Sequence, residues 1–184
     1  KFILEDGKYL CGNTTEKMSK SFYNVVSPDS IIQEYGADAL RMHEMFLGPI
    51  EQAKPWNTAG ISGTYSFLKK FWNLFHSTGK FYVDDNNPSK ESLKILHKTI
   101  KKIEEDINNF SLNTSVSAFM ICVNELSSQK CNNLYVLKNL TILLSPFAPH
   151  ICEEIWNKLG HLNTISFEPF PVFNPEFIKE SSFE

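Results

Sequence analysis

Two lysines and two serines crowd into Lys17-Met18-Ser19-Lys20-Ser21, within a polar stretch that has no helical period. A phosphate-bearing ligand calls for point positive charge and neutral donors, and an irregular loop can close over it. Met18 supplies an apolar anchor between the charged positions. On residue types alone, the same pentapeptide also reads as a solvated Lys/Ser turn.

Other basic residues form smaller groups: Lys69-Lys70, then Lys98, Lys101 and Lys102, with Arg41 as the sole arginine. They either solvate a helix face, as the neighbouring Glu104-Glu105-Asp106 suggests, or meet the phosphates of an RNA backbone. Arg41 has Asp38 three residues before it, the spacing of a surface helix pair. The histidines show no partner spacing and are given no catalytic role; His150, between Pro149 and Ile151, is expected to cap or bond locally. Trp56 is expected as a packing anchor, and Trp72 and Trp156 as core.

The bulk numbers bound the class. The chain has 184 residues, 42% hydrophobic and 13% aromatic, enough for a packed core and against disorder. A net charge of -3 sets up no global basic field, so any RNA contact must be local. Cys11, Cys122, Cys131 and Cys152 form no Cys-x-x-Cys pair and have no histidine at ligand spacing. No metal site is expected, and the cysteines read as reduced thiols of a cytoplasmic protein. No apolar run reaches the ~20 residues of a membrane helix. The start at Lys1-Phe2-Ile3-Leu4 reads as a cut from a longer protein.

The pattern that must position these residues is mainly α. Apolar triplets flank Glu5-Asp6-Gly7-Lys8, a hairpin with the Asp-Gly pair of a type I′ turn. A polar loop covers 12–27. Ser27-Pro28-Asp29 opens a helix ending at Tyr35, with Gly36 as left-handed cap, and a second begins at Asp38 and stops at Gly48-Pro49. Ile32, Tyr35, Ala39, Met42 and Phe46 mark their apolar side. Further stripes run Ile61-Tyr65-Leu68-Trp72-Phe75, Leu93-Leu96-Ile100-Ile103-Ile107, Leu112-Val116-Phe119-Val123-Leu126 and Leu134-Leu137-Leu140-Leu144. Ile151, Ile155 and Leu159 lie on a last short helix capped by Gly160. The polar residues 79–89 read as a mobile connector, and the Pro- and Phe-rich tail as extended and surface-packed. The sum is an antiparallel helical bundle behind a hairpin-and-loop segment.

Lys17-Met18-Ser19-Lys20-Ser21 resembles the signature loop of class I aminoacyl-tRNA synthetases. Asn24-Val25-Val26-Ser27-Pro28-Asp29 and Tyr35-Gly36-Ala37-Asp38-Ala39-Leu40-Arg41 are similar to the stretch that follows it in the leucine/isoleucine/valine subgroup. Leu144-Ser145-Pro146-Phe147-Ala148-Pro149-His150 and Glu153-Glu154-Ile155-Trp156 resemble a block of that subgroup's helical domain. Glu44-Met45-Phe46-Leu47-Gly48-Pro49-Ile50-Glu51, Lys54-Pro55-Trp56 and Asn113-Thr114 resemble the leucyl branch more than the isoleucyl or valyl ones.

The resemblance implies a division into the end of a catalytic domain (1–56), a helical anticodon-binding bundle (57–163) and a tail (164–184). It implies that Lys20, assisted by Lys17 and Ser19, meets ATP phosphates during amino-acid adenylation, with Met18 and Ser21 completing the loop. ATP with Mg2+, leucine and tRNA(Leu) would be the ligands of the whole enzyme, a monomer, and Arg41 would tie the loop segment to the bundle. Phe22-Tyr23 departs from the usual basic residue and glycine, which points to a hinge pinned against the domain. The nucleotide-binding half carrying a His-Ile-Gly-His-type motif is absent from these residues, so they are not expected to act alone. A free-standing helical RNA-binding module and a bundle for protein contacts are the competing readings.

Overall fold

The computed structural model describes residues 2–11 and 15–179. Residues 12–14 of the expected loop, 180–184 of the expected tail and the Cys11 side chain lie outside the described residues. Strands β1 (Phe2–Glu5) and β2 (Lys8–Cys11) pair antiparallel in the register Glu5↔Lys8. Asp6 and Gly7 both have positive φ, 49° and 73°, as a two-residue type I′ turn requires.

Helices α1 (Pro28–Tyr35) and α2 (Ala37–Phe46) follow the loop. Gly36 between them has φ 86° and ψ 156°, a positive-φ conformation that favours glycine but is extended in ψ rather than the expected left-handed helical cap. Ser27 occupies the N-cap position of α1 without a capping bond; its hydroxyl donates to Asp29 instead. Of the expected stripe, Ala39 and Met42 are buried and Tyr35 packs on the core, whereas Ile32 and Phe46 are exposed and Ile31 takes the buried place on α1.

The bundle consists of α3 (Ile61–Leu74), α4 (Lys90–Asn108), α5 (Leu112–Ser128), α6 (Leu134–Leu144) and α7 (Pro149–Lys158). Helix α5 is central, packing on α2, α3 and α4, while α6 packs on α4 and α7. On α3 the buried face is Ile61, Thr64, Phe67, Leu68, Phe71 and Leu74; Tyr65 and Trp72, expected in the stripe, flank it half-buried. The stripes of α5 and α6 lie where the spacing puts them, around Phe119, Leu126, Leu137 and Leu140. One continuous core runs from Ile31 and Met42 through Phe71, Phe119 and Trp156 to Ile165.

The segment after α3 is not a free connector. Two short strands, β3 (His76–Ser77) and β4 (Lys80–Phe81), form a hairpin, and Asp84 bridges to Asn133. Asp84 N–H donates to Asn132 O at 2.8 Å, Leu134 N–H to Asp84 O at 2.7 Å, and Asn133 Nδ2 to Asn86 O at 2.6 Å. Asn133 also caps α6 through Val136 N–H, so one side chain starts a helix and staples a loop. In the tail, Ile165 and Pro171 are buried, and two 3₁₀ turns, Ile165–Phe167 and Pro175–Ile178, interrupt the extended chain.

Candidate phosphate loop and nucleic-acid interface

The Lys17–Ser21 loop is organised by its own polar atoms. Ser19 caps a 3₁₀ turn, Lys20–Phe22, by accepting from Phe22 N–H at 3.3 Å. Ser19 and Ser21 hydroxyls lie 3.0 Å apart. Asn24 braces the loop from across: its Oδ1 accepts Ser19 N–H at 2.9 Å and its Nδ2 donates to Lys17 O at 3.3 Å. Spacing does not reveal that bracing role, although an Asn that can bond backbone on both sides is its signal.

With those bonds in place, Lys17 and Lys20 are exposed, and neither ammonium pairs with a carboxylate among the described residues. The loop borders a cleft of about 1090 Å³ lined also by Met18, Asn24, Lys54 and Trp56. Lys54 joins Lys17 at the cleft as a cation that spacing did not single out, while Lys20 does not line it. Among the described residues Glu16 is the only acid lining it, and no group of three or more His, Cys, Asp or Glu side chains is placed to hold a metal ion. These residues do not build a magnesium site.

Phe22 and Tyr23 are not pinned against the domain. They are 66% and 93% exposed, and Tyr23 takes the left-handed conformation, φ 52°. The position does the geometric work of a glycine, at a cost of about 1 kcal/mol for a side chain.

Asp38 and Arg41 do not pair with each other; both reach the α6–α7 corner. Buried Asp38 accepts His150 N–H at 3.3 Å, Ile151 N–H at 2.8 Å and His150 Nδ1–H at 2.8 Å. Ala148, at the N-cap of α7, has no side-chain oxygen, so Asp38 caps that helix from a distance. Arg41 donates through Nη2 to Pro146 O at 3.0 Å and through Nε to Phe147 O at 3.4 Å. His150 therefore bonds across the fold, not locally.

The lysine groups divide. Lys69 Nζ sits 4.2 Å from the Tyr65 ring centroid and Lys70 Nζ donates to Asn124 Oδ1 at 3.0 Å. Lys101 and Lys102 pair along α4 with Glu105 at 3.9 Å and Asp106 at 2.7 Å. Lys98 is exposed on the same helix, beside a groove between α4 and α5. The α3 and α4 lysines line different cavities and do not make one patch.

Other titratable groups are structural. Burial pushes the Cys122 thiol up to about 12 and the Cys152 thiol well above its usual value, so neither is a ready nucleophile. His43 is buried with no hydrogen bond to either ring nitrogen and meets the Trp56 ring edge-on at 5.4 Å. Trp56 packs half-buried against the core, its Nε1–H bonding Thr58 Oγ1 at 3.0 Å. Trp156 is core, stacked on His161 at 3.7 Å, whereas Trp72 lines a groove.

Comparison with known proteins bears on this arrangement. Residues 89–184 match the family model described as the anticodon-binding domain of tRNA ligase, and residues 8–56 match that of class I tRNA synthetases (I, L, M and V). A curated leucine–tRNA ligase of Cytophaga hutchinsonii is 59% identical over 184 residues, all of this chain and 20% of that protein. One of Flavobacterium johnsoniae is 61% identical over 180 residues, 98% of this chain and 19% of that protein. The crystal structure of a LeuRS–tRNA–LeuAMS ternary complex from Agrobacterium radiobacter K84 matches with TM-score 0.73 and 30% identity, over 89% of this chain and 23% of that one. The chain spans about a fifth of the length of these curated relatives.

Proposed function

Because the chain belongs to the family of tRNA-ligase anticodon-binding domains, preceded by a class I tRNA synthetase segment, we propose that it serves leucine–tRNA ligation, supplying the phosphate-binding loop for leucyl-adenylate formation and a helical platform for tRNA(Leu). The names of the relatives support leucine over isoleucine or valine. The observation that carries the reading is the braced loop, which holds the exposed ammonium groups of Lys17 and Lys20 without a carboxylate partner among the described residues, Lys17 at the edge of an open cleft.

In this reading a leucine carboxylate oxygen attacks the α-phosphorus of ATP, and the bond from that phosphorus to the bridging oxygen of pyrophosphate breaks. Negative charge grows on the leaving pyrophosphate. Lys20 meets it most directly, with Lys17 and the Ser19 hydroxyl assisting, and Met18 and Ser21 shape the loop. Such contacts strengthen as charge develops, so they favour the transition state over the bound substrate. Magnesium would arrive with ATP, and no step is assigned to it. Arg41 acts as a tie to the bundle. The candidate RNA contacts are the lysines of α3 or, in their place, those of α4. We place the protein in the cytoplasm as a monomer; no helix among the described residues is long and apolar enough to cross a membrane.

The test is leucine-dependent ATP–pyrophosphate exchange by the complete gene product. Lys20→Ala is expected to slow it by a factor that corresponds to about 3–4 kcal/mol, the scale of one missing transition-state donor. Near-normal exchange would remove Lys20 from the mechanism.

A further inference from the structure

No Asp or Glu occurs between Glu51 and Asp84, in a chain that otherwise carries 21 of them. Helix α3 lies inside that interval. Its exposed positions are Ser62, Gly63, Ser66, Lys69, Lys70 and Asn73, all neutral donors, cations or bare backbone. At ~1.5 Å per residue the ridge runs about 17 Å from Ser62 to Asn73. Lys69 rests on a ring and Lys70 on an amide, so both charges stay uncompensated. Lys101 and Lys102 on α4 are instead neutralised by their own helix.

Gly63 adds a second, independent observation. It stands mid-helix and exposed, where glycine is the poorest helix former after proline. A Cβ there would meet nothing within 4 Å. Nothing in this chain requires the missing side chain, which is what close approach by an outside backbone would require. The ridge also lacks the apolar centre expected of a protein–protein contact.

We infer that the α3 ridge, not the α4 lysine cluster, is the track on which an RNA sugar-phosphate backbone docks, passing closest at Gly63. Lys69 and Lys70 take phosphates, and the serine hydroxyls and the Asn73 amide take phosphate or ribose oxygens. Asn73 borders two cavities, one of about 540 Å³ beside Lys69 and one of about 390 Å³ beside Lys70 and Lys130, which give the strand room on both sides. This rests on the tRNA-docking reading and specifies which face serves it.

The test is a salt titration of tRNA(Leu) binding to the complete gene product. Lys69→Glu/Lys70→Glu is expected to weaken binding about tenfold or more and to lower the salt slope by about 2, one for each phosphate that a lysine no longer neutralises. Gly63→Gln should weaken binding too, while its thermal midpoint holds or rises because glutamine is the better helix former. Lys98→Glu/Lys101→Glu should shift neither affinity nor slope. Unchanged binding in the α3 variants, or an equal loss in the α4 variant, overturns the ridge assignment; an acidic protein as the true occupant would show as the former. Failure of the unsubstituted protein to bind tRNA would instead defeat the docking reading itself.

Discussion

At the residue scale, Asp38 carries the most structure per atom. Its carboxylate satisfies two orphan N–H groups of α7 and fixes the His150 ring, from a helix more than a hundred residues away in the chain. Asp38→Ala would leave those part-buried donors without their protein acceptor at a helix terminus, which costs about 1–2 kcal/mol. Asp38→Asn keeps one acceptor and should cost less. Urea unfolding of both variants checks the order; equal stability of wild type and alanine variant would mean that water replaces the carboxylate without loss. The local spacing Asp38-x-x-Arg41 suggested a pair between the two, and the sequence cannot show otherwise, because the competing partners become neighbours only after α6 and α7 have folded. The loop is different: the bonds that shape Lys17–Ser21 come from within a few residues, so a local reading reaches its form.

At the element scale, stripes located the helices but not always their buried face. A spacing of three or four admits two adjacent faces when apolar residues flank both, as Phe67 and Phe71 do beside Tyr65 and Trp72 on α3. The 76–81 hairpin left no trace because two-residue strands have no period to read. The tail was legible as extended, yet its latch was not. His97 Nδ1 accepts Asn174 N–H at 3.2 Å, and its ring stacks on Phe177 at 4.6 Å. Accepting that bond requires the neutral imidazole, and burial pushes the His97 pKa below its usual 6.5. Between the folded value and 6.5 the unfolded chain binds more protons, so this contribution is complete above about pH 6.5, is lost as pH falls through the folded value, and then levels off. The expected outcome is a urea midpoint that drops between pH 7.5 and pH 5.5, with faster amide exchange at Asn174. His97→Phe should flatten part of that drop, and His43, also lowered by burial, accounts for another part. A pH dependence unchanged in His97→Phe would show that the latch does not titrate.

At the scale of the whole molecule, the proposed division at 56/57 marks a change of role, while the core runs straight across it. Ile31, Leu40 and Met42 share one buried cluster with Phe71, Phe119 and Trp156. Arg41 and Asp38 hold the α6–α7 corner by bonds that start on the loop side. Removing α1 and α2 would strip three large buried side chains, each worth about 1.5–3 kcal/mol, and uncap α7. The total approaches the roughly 5–15 kcal/mol that keeps an ordinary domain folded. A fragment of residues 57–179 should therefore bind a hydrophobic dye and melt without a cooperative transition, whereas 15–179 should melt sharply. Cooperative melting of the shorter fragment at the temperature of the longer one would show that the bundle stands alone. If the two differ as expected, the loop segment and the RNA platform are one rigid body, and an RNA strand seated on α3 is registered directly to Lys17 and Lys20 through a shared core rather than across a linker.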